Sequence, residues 1–345
     1  VVDVSLKKKR VRERLGRPLG DPGLGPAFLE ALDRKREEDP DAAEAEALWA
    51  VGHLPRKLLP HLLGVGGSTY KLQMRQRAAY HALHFGLTLA REAAAPLQAA
   101  DLLQRLGYVV SAEEDYQRAL ELAEQAAWIY LRHGQTAGVG KALVDQGIWL
   151  HYLGRTQEAI PTQEAALELL PAGPGRNRCA AHQCLAQFHF SLGRLEPALA
   201  HIEQAEALKD ALGLLSRAKI VWLKAGILEA QGKVSLAESQ LLQAIESLSR
   251  INPVDTALAT CDLVALYLRQ RRPTRAWEAT RSMLPLLEPL RHHKVVSSAI
   301  AELLRCEALA LDLESVEEVR GRIAAQRRQG AQWQRLRPKL PEPGR

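Results

Sequence analysis

Aromatic residues make up only 5% of the 345-residue chain, and Ala and Leu dominate its composition. Clusters of β-branched residues bounded by turn residues, which are typical of strands, are nearly absent. Ala loses no side-chain entropy in a helix and Leu loses little, so a chain rich in both favours helix. The composition therefore predicts an all-α fold.

Long apolar runs and paired cysteines are also missing. No stretch of about 18 apolar residues occurs, so no membrane span is predicted. The basic start, VVDVSLKKKRVRERLGRPLG, has no apolar stretch behind it and is not expected to be a secretory signal. The cysteines form no CxxC pair, so we expect reduced, mostly buried thiols in a cytoplasmic protein. They are Cys179, Cys184, Cys261 and Cys306.

The net charge of +6 and the pI of about 9.2 arise from the two ends of the chain. Residues 1–20 carry a net charge of +5 and residues 320–345 carry +7, which leaves −6 for residues 21–319. The main body is thus mildly acidic. The basic ends are interpreted as solvated tails, with electrostatic contact to nucleic acid or an acidic partner as the alternative.

Motifs of catalysis are missing as well. The chain contains no GxSxG, no kinase signature and no nucleophilic cysteine with a suitable histidine. The glycines of LGVGGST (63–69) lack the Gly-Lys-Ser/Thr ending of a phosphate-binding loop, so this segment is predicted to be an ordinary loop that ends a helix. We therefore expect a protein without enzymatic activity and without a cofactor.

Two histidine pairs are candidate metal ligands by spacing alone. His81 and His84 lie one helical turn apart, and His182 and His189 lie two turns apart near Cys179. No HExxH or CxxC motif accompanies them, so we interpret them as partly buried or groove histidines and predict no metal site.

Glycine, proline and charge divide the chain into six predicted segments. Helices are expected from about Ala27, with a break at Asp39–Pro40, because the residue before proline avoids helical geometry. The segments are a basic, disordered start (1–24), an N-terminal helical cap (25–69), divergent hairpins (70–139), regular repeats (140–290), a C-terminal capping hairpin (291–330) and a basic, proline-containing tail (331–345).

A fixed spacing of 39 residues organises the regular part of the chain. It separates Gly154, Gly193 and Gly232. Small residues share the same spacing seven places before each glycine and five and twelve places after it. They are Gly147, Ala186 and Ala225 before, then Ala159, Ala198, Ala237, Ala166, Ala205 and Ala244 after. A weaker fourth copy keeps Ala276 but has Arg271 at the turn, with Val264 and Met283 at two of the small places.

Each part of this pattern has a physical cause. Small residues let the two helices of a hairpin approach closely, and glycine allows the positive φ that a tight turn needs. A single hairpin cannot bury its apolar face, so successive copies must stack.

The pattern Gly147, Gly154, Ala159, Ala166 and Pro171 resembles the tetratricopeptide repeat (TPR) family. The usual TPR repeat has about 34 residues. The longer period of 39 is similar to the sensor arms of bacterial signal-transducing regulators. The resemblance implies a right-handed superhelical α-solenoid of stacked antiparallel hairpins. Pro161, inside a second helix, is predicted to kink it.

In TPR proteins the first helix of each hairpin lines a concave groove, so the resemblance implies a partner-binding face. The residues that this implies here are Lys141, Ile148, His151, Tyr152, Gln183, Gln187, Phe190, Lys219, Trp222, Glu229, Asp262 and Arg269. Ile148 and Gln187 stand where a carboxylate-binding clamp needs asparagine, so that clamp is not expected. Aromatic, amide and charged side chains suit an extended peptide or a partner helix.

The sequence therefore predicts a non-catalytic scaffold that binds a protein or peptide partner in this groove. The first alternative is a sensor arm of a bacterial transcription or signalling system whose effector domain lies on another chain or outside this sequence. The second is a nucleic-acid-associated protein that uses its basic ends. The identity of the partner and the oligomeric state stay open.

Overall fold

The computed structural model describes residues 31–33, 35, 39–51, 59–72, 76–249, 253–282, 314, 316, 317 and 320. These residues belong to two compact units. Unit 1 comprises Val1–Ser111 and Asp115–Phe188, and unit 2 comprises Ala112–Glu114 and His189–Arg345. The predicted segments 1–24 and 331–345, and most of the predicted capping hairpin 291–330, lie outside the described residues.

The described residues are helical and contain no strand, which confirms the predicted all-α fold. No described helix is both long enough and apolar enough to cross a membrane. The α-helices are α1 (Pro40–Val51), α2 (Leu59–Leu72), α3 (Gln76–Glu92), α4 (Pro96–Val110), α5 (Tyr116–Arg132), α6 (Thr136–Tyr152), α7 (Thr156–Leu169), α8 (Arg176–Ser191), α9 (Leu195–Ala207), α10 (Leu214–Ala230), α11 (Val234–Ser249), α12 (Pro253–Arg269) and α13 (Pro273–Ser282).

Successive helices form antiparallel hairpins whose turns follow the predicted glycines. Gly154, Gly193 and Gly232 adopt φ values of +79°, +71° and +75°. At the first turn, the Gly154 amide donates to the carbonyl of His151 (3.0 Å) and the Arg155 amide to that of Leu150 (2.8 Å). These bonds satisfy carbonyls that the helix end leaves without a partner. The glycine spacing therefore marks hairpin turns, as predicted.

The fourth turn has the same geometry without glycine. Arg271 adopts a φ of +55°, and its amide donates to the carbonyl of Leu268 (3.0 Å) while the Arg272 amide donates to that of Tyr267 (2.9 Å). A left-handed conformation costs a non-glycine residue roughly 1–2 kcal/mol. The neighbouring hydrogen bonds and the packing of α12 on α13 hold the turn in place.

Replacing this arginine by glycine is expected to stabilise the protein. Arg271→Gly should raise the free energy of unfolding by about 1 kcal/mol, because glycine adopts positive φ at little steric cost. The reciprocal change one repeat earlier, Gly232→Arg, should lower it by a similar amount. Urea denaturation followed by circular dichroism measures both. Changes of the same sign in the two variants would contradict this account.

The repeat register extends further toward the N-terminus than the sequence analysis recognised. The hairpin of α4 and α5 carries small residues at the equivalent places, with a period of 40, but its turn residue is Glu114 (φ +63°). The hairpin of α2 and α3 carries them another 40 residues earlier. The two sets are Gly107, Ala119 and Ala126, and Gly67, Ala79 and Gly86. The divergent region therefore follows the same geometry.

The segment LGVGGST (63–69) was wrongly predicted to be a loop that ends a helix, because it lies within α2. Its glycines allow the next helix to approach. A Cβ atom on Gly67 would lie 2.5 Å from Cγ of Leu83 and 3.2 Å from the carbonyl oxygen of Ala79, both in α3. Close packing of α2 on α3 thus outweighs the low helix propensity of glycine.

The small residues of the repeat lie where the helices of a hairpin touch. The alanines of the second helices are fully buried: Ala159, Ala166, Ala198, Ala205, Ala237, Ala244 and Ala276. Leucine and other large apolar side chains fill the space between them and form buried clusters within each unit. The helix α7 continues through Pro161, which removes one backbone donor from it.

Candidate functional site

First helices of successive hairpins lie side by side, so residues about 40 places apart meet across them. In unit 1, Nζ of Lys141 lies 2.6 Å from the Asp101 carboxylate. In unit 2, Nε1 of Trp222 donates to the Asp262 carboxylate at 2.8 Å. Three of these four residues were predicted groove residues: Lys141, Trp222 and Asp262. The arrangement forms a polar face along the first helices within each unit.

The unit 1 part of this face is an ion cluster centred on Asp101. Nε of Arg105 lies 2.7 Å from Asp101, and its Nη1 contacts Asp33 (3.1 Å) and the hydroxyl of Ser68 (3.0 Å). Burial raises the pKa of Asp101, but Arg105 and Lys141 outweigh it and hold that pKa well below its usual range. The cluster connects α2, α4 and α6.

A second polar group lies beside it, around the buried carboxylate of Asp145. Nε2 of Gln104 and the hydroxyl of Tyr108 each donate to this carboxylate at 2.5 Å. Burial raises the pKa of Asp145 to about 6, although both hydrogen bonds and Lys141 act in the opposite direction. The Asp145 carboxyl group therefore loses its proton at a higher pH than an ordinary aspartate does.

This raised pKa predicts a pH-dependent contribution to stability. The folded-state pKa of about 6 exceeds the ordinary 3.8, so the folded protein binds the proton more tightly than the unfolded chain. The contribution of Asp145 to stability should therefore fall as the pH rises from about 4 to about 6. Asp145→Asn does not titrate, and its stability relative to the wild type should rise across that window by up to about 3 kcal/mol.

Denaturant unfolding at a series of pH values measures this difference. Glu164→Gln, at an exposed position of α7, provides the matched control and should differ from the wild type by a constant amount. A difference between Asp145→Asn and wild type that does not change with pH would contradict the assignment.

The other predicted groove residues of unit 1 have different surroundings. Ile148 packs against the core cluster. Nδ1 of His151 lies 2.9 Å from the hydroxyl of Thr156, and Tyr152, 58% exposed, stacks on Tyr116 with ring centroids 5.0 Å apart. Gln183 and Gln187 are partly exposed on α8.

In unit 2 the structure brings five predicted residues together around one cavity of about 480 Å³. Ring atoms Cε1 and Cζ of Phe190 would lie 3.4 Å from a Cβ atom on Gly226, so the ring lies against the bare backbone of α10. The cavity is lined by Phe190, Trp222, Gly226, Glu229, Ala230, Leu241, Asp262, Arg269 and Arg320. Its volume is within the roughly 300–1,000 Å³ typical of ligand pockets.

The rim of this pocket consists of two ion pairs. Nη1 of Arg269 lies 2.9 Å from the Glu229 carboxylate, and Nε of Arg320 lies 2.6 Å from the Asp262 carboxylate, which also accepts from Trp222. Burial raises the pKa of Glu229 and the Arg269 charge opposes this rise. Asp262 thus orients the Trp222 indole at the pocket wall.

Lys219, the sixth predicted residue of unit 2, lies apart from this pocket. Its Nζ is 3.2 Å from the carboxylate of Asp255, which is fully buried. This ion pair links α10 to α12. Lys219 therefore has a packing role in addition to any contact with a partner.

Among the site residues that the sequence analysis missed are Asp101, Arg105, Asp145 and Arg320. Asp101 and Arg105 lie 40 places before Lys141 and Asp145, so the extended register was the signal that could have found them. Arg320 lies 58 residues after Asp262, and no repeat spacing in the sequence predicts the contact between them.

Two of the candidate histidines stack on aromatic neighbours. The ring of His84 stacks on Tyr80 (5.8 Å between centroids), and that of His189 stacks on His201 (5.6 Å). Within the described residues, no group of three His, Cys, Asp or Glu side chains is placed to hold a metal ion. Cys179, Cys184 and Cys261 are free thiols, and burial raises the pKa of Cys261 to about 12.

Solved structures with stacked helical hairpins resemble this chain. A Rap protein complexed with competence and sporulation factor is 14% identical, with a TM-score of 0.64 over 88% of each chain. The Cut9–Hcn1 hetero-tetramer of the APC/C is also 14% identical, with a TM-score of 0.64 over 84% of this chain and 50% of that one. This chain has a TPR-like fold.

The Rap conjugation gene regulator of plasmid pLS20, in complex with the Phr* peptide, shares the TPR-like fold. It is 17% identical, with a TM-score of 0.57 over 83% of this chain and 78% of that chain. Comparison with protein-family models and with curated protein sequences gives no match. The predicted resemblance to TPR proteins is therefore confirmed at the level of the fold.

Proposed function

We propose that this TPR-like protein is a non-catalytic scaffold that binds a peptide, or a peptide-like segment of a protein, on the first helices of unit 2. The observation that carries the proposal is the pocket in which Phe190, Trp222, Glu229, Asp262 and Arg269 converge. Aromatic anchors surrounded by polar groups are typical of protein-binding hot spots. The Phr* peptide complex of a protein with the same fold gives further support.

The partly exposed Trp222 is the residue on which this proposal can be tested most directly. Its ring is oriented by Asp262 and lines the pocket with Phe190. Removing an anchoring tryptophan from an interface costs about 2 kcal/mol or more, which is roughly thirtyfold in Kd. Trp222→Ala should therefore weaken peptide binding by at least about tenfold.

The measurement starts from random peptides displayed on phage and selected against the full chain. The affinity of an enriched peptide is then measured by calorimetry for the wild type, Trp222→Ala and Trp128→Ala. Trp128 is 58% exposed on α5 of unit 1, where the Arg132 guanidinium lies over its ring, so it makes a matched control. Circular dichroism verifies that each variant is folded.

Two outcomes would contradict the proposal. One is a selection from which no peptide emerges. The other is equal affinity of folded Trp222→Ala and wild type for the enriched peptide. If only Trp128→Ala lost binding, the result would indicate that the peptide binds to unit 1 instead.

We further propose that the protein works in a reducing compartment such as a cytoplasm. Three of its cysteines are free, two of them fully buried, and no described pair forms a disulfide. The alternative that uses the basic ends concerns residues that lie almost wholly outside the described part of the chain. Its one described arginine, Arg320, is paired with Asp262.

A further inference from the structure

The floor of the unit 2 pocket is apolar and contains one glycine at a helical position. Gly226 lies between Trp222 and Glu229 on α10, and the Phe190 ring faces its bare backbone. Leu241, from α11, closes the floor. A side chain at position 226 would project into the space that these residues line, so glycine there keeps the pocket open.

Glycine at this position is unfavourable for the helix itself. In a helix interior glycine costs about 1 kcal/mol relative to alanine. A Cβ atom on Gly226 would meet Phe190 at 3.4 Å, which is ordinary van der Waals contact, so packing does not require glycine. This differs from Gly67, where a Cβ atom would clash. Glycine at position 226 instead leaves room in the pocket, because it places no side chain there.

The charges of the rim are already matched within the pocket. Glu229 is paired with Arg269, and Asp262 with Arg320 and the Trp222 indole. A charged ligand group would have to separate one of these pairs, and leaving a partly buried charge without its partner is costly. The pocket is therefore electrostatically complementary to an uncharged side chain.

We propose that the pocket receives one large, uncharged apolar or aromatic side chain of the bound peptide, and that Gly226 sets the size of side chain it accepts. This inference rests on the proposed peptide-binding function and specifies the chemistry of the ligand. The side chain packs on Phe190 and Trp222, while the rim ion pairs close around it. Peptides with a small residue at the anchor place bind weakly.

A cationic anchor is the rival that the same residues invite, because aromatic rings and carboxylates attract cations. Arg269 and Arg320 already occupy both carboxylates, at 2.9 and 2.6 Å. A lysine or arginine of the ligand would therefore face two like charges. Because of this repulsion, the rim favours an apolar anchor over a cationic one.

The experiment combines the displayed-peptide selection with two glycine variants of the full chain. Gly226→Leu fills the pocket, and Gly66→Leu is the matched control, since a Cβ atom on Gly66 meets nothing within 4 Å. We expect the peptides enriched by the wild type to share one apolar or aromatic position. Replacing that residue by Ala in the peptide, or using Gly226→Leu, should each weaken binding at least about tenfold, and Gly66→Leu should leave it unchanged.

Each result decides the inference. Enriched peptides that share a charged anchor, or that lack an apolar one, would overturn it while leaving the proposed function standing. Equal binding by folded Gly226→Leu and wild type would do the same. If Gly226→Leu does not fold, the alanine replacement in the peptide decides instead, because it leaves the protein unaltered. Failure of the wild type to enrich any peptide would overturn the proposed function itself.

Discussion

Arg105→Leu is expected to lower the free energy of unfolding by about 3–5 kcal/mol, the range for breaking a buried ion pair by removing one partner. The guanidinium contacts Asp101, Asp33 and Ser68 at 2.7–3.1 Å, and it is mostly shielded from water. Removing the guanidinium deprives the Asp33 carboxylate of this cation. Asp101 also loses it but keeps its ion pair with Lys141. The helix α4 thereby loses its contacts to α2 and to Asp33, while the Asp101–Lys141 ion pair between α4 and α6 remains.

Urea denaturation followed by circular dichroism measures this effect. Arg91→Leu, on the exposed face of α3, removes the same group from solvent and should change stability by no more than about 0.5 kcal/mol. Arg105→Lys should fall between the two, because an ammonium cannot reproduce the forked geometry of the guanidinium. Equal stability of Arg105→Leu and Arg91→Leu would show that the cluster is not structural.

Gly67→Leu should destabilise unit 1 by about 3 kcal/mol, at the upper end of overpacking effects. The first side-chain carbon alone would approach Cγ of Leu83 to 2.5 Å and the Ala79 carbonyl oxygen to 3.2 Å. Leu83 is fully buried, so it has no free space into which it can move. The hairpin of α2 and α3 must open to accept the larger residue.

The adjacent glycine provides the control within the same helix. A Cβ atom on Gly66 meets nothing within 4 Å, so Gly66→Leu should be neutral or should stabilise α2 by up to about 1 kcal/mol through its higher helix propensity. Thermal or urea unfolding of the two single variants tests the contrast. Similar behaviour of both would be expected of a loop and would contradict the helical packing of residues 64–69.

Much of the fold could be predicted from the spacing of small residues alone. Small residues and turn glycines must recur at a fixed interval in any stack of similar hairpins, because each copy meets its neighbours in the same way. That constraint marked the turns at Gly154, Gly193 and Gly232. It also placed Arg271 at the turn of the weaker fourth copy, but it did not reveal the turn at Glu114. Both residues take positive φ without being glycine, and the surrounding hydrogen bonds and packing hold them there.

The segment around Gly67 shows the opposite failure. Local propensity predicts a loop for a run of three glycines within four residues, since glycine is a poor helix former. The close approach of α3 makes glycine necessary, and this approach is a property of the packed hairpin. Tertiary packing therefore stabilises a helix in a segment whose local sequence predicts a loop.

Among the site residues, the sequence by itself determined which side chains lie on the first helices, because that depends only on helical periodicity and the repeat register. The resemblance to TPR proteins predicted that Trp222, Asp262, Glu229 and Arg269 share one face. Only the tertiary structure decided that these residues surround a pocket and pair with one another, that Arg320 reaches Asp262, and that Asp145 is buried. Such contacts depend on the distance and offset between stacked helices, and the packing of all the core side chains together sets both.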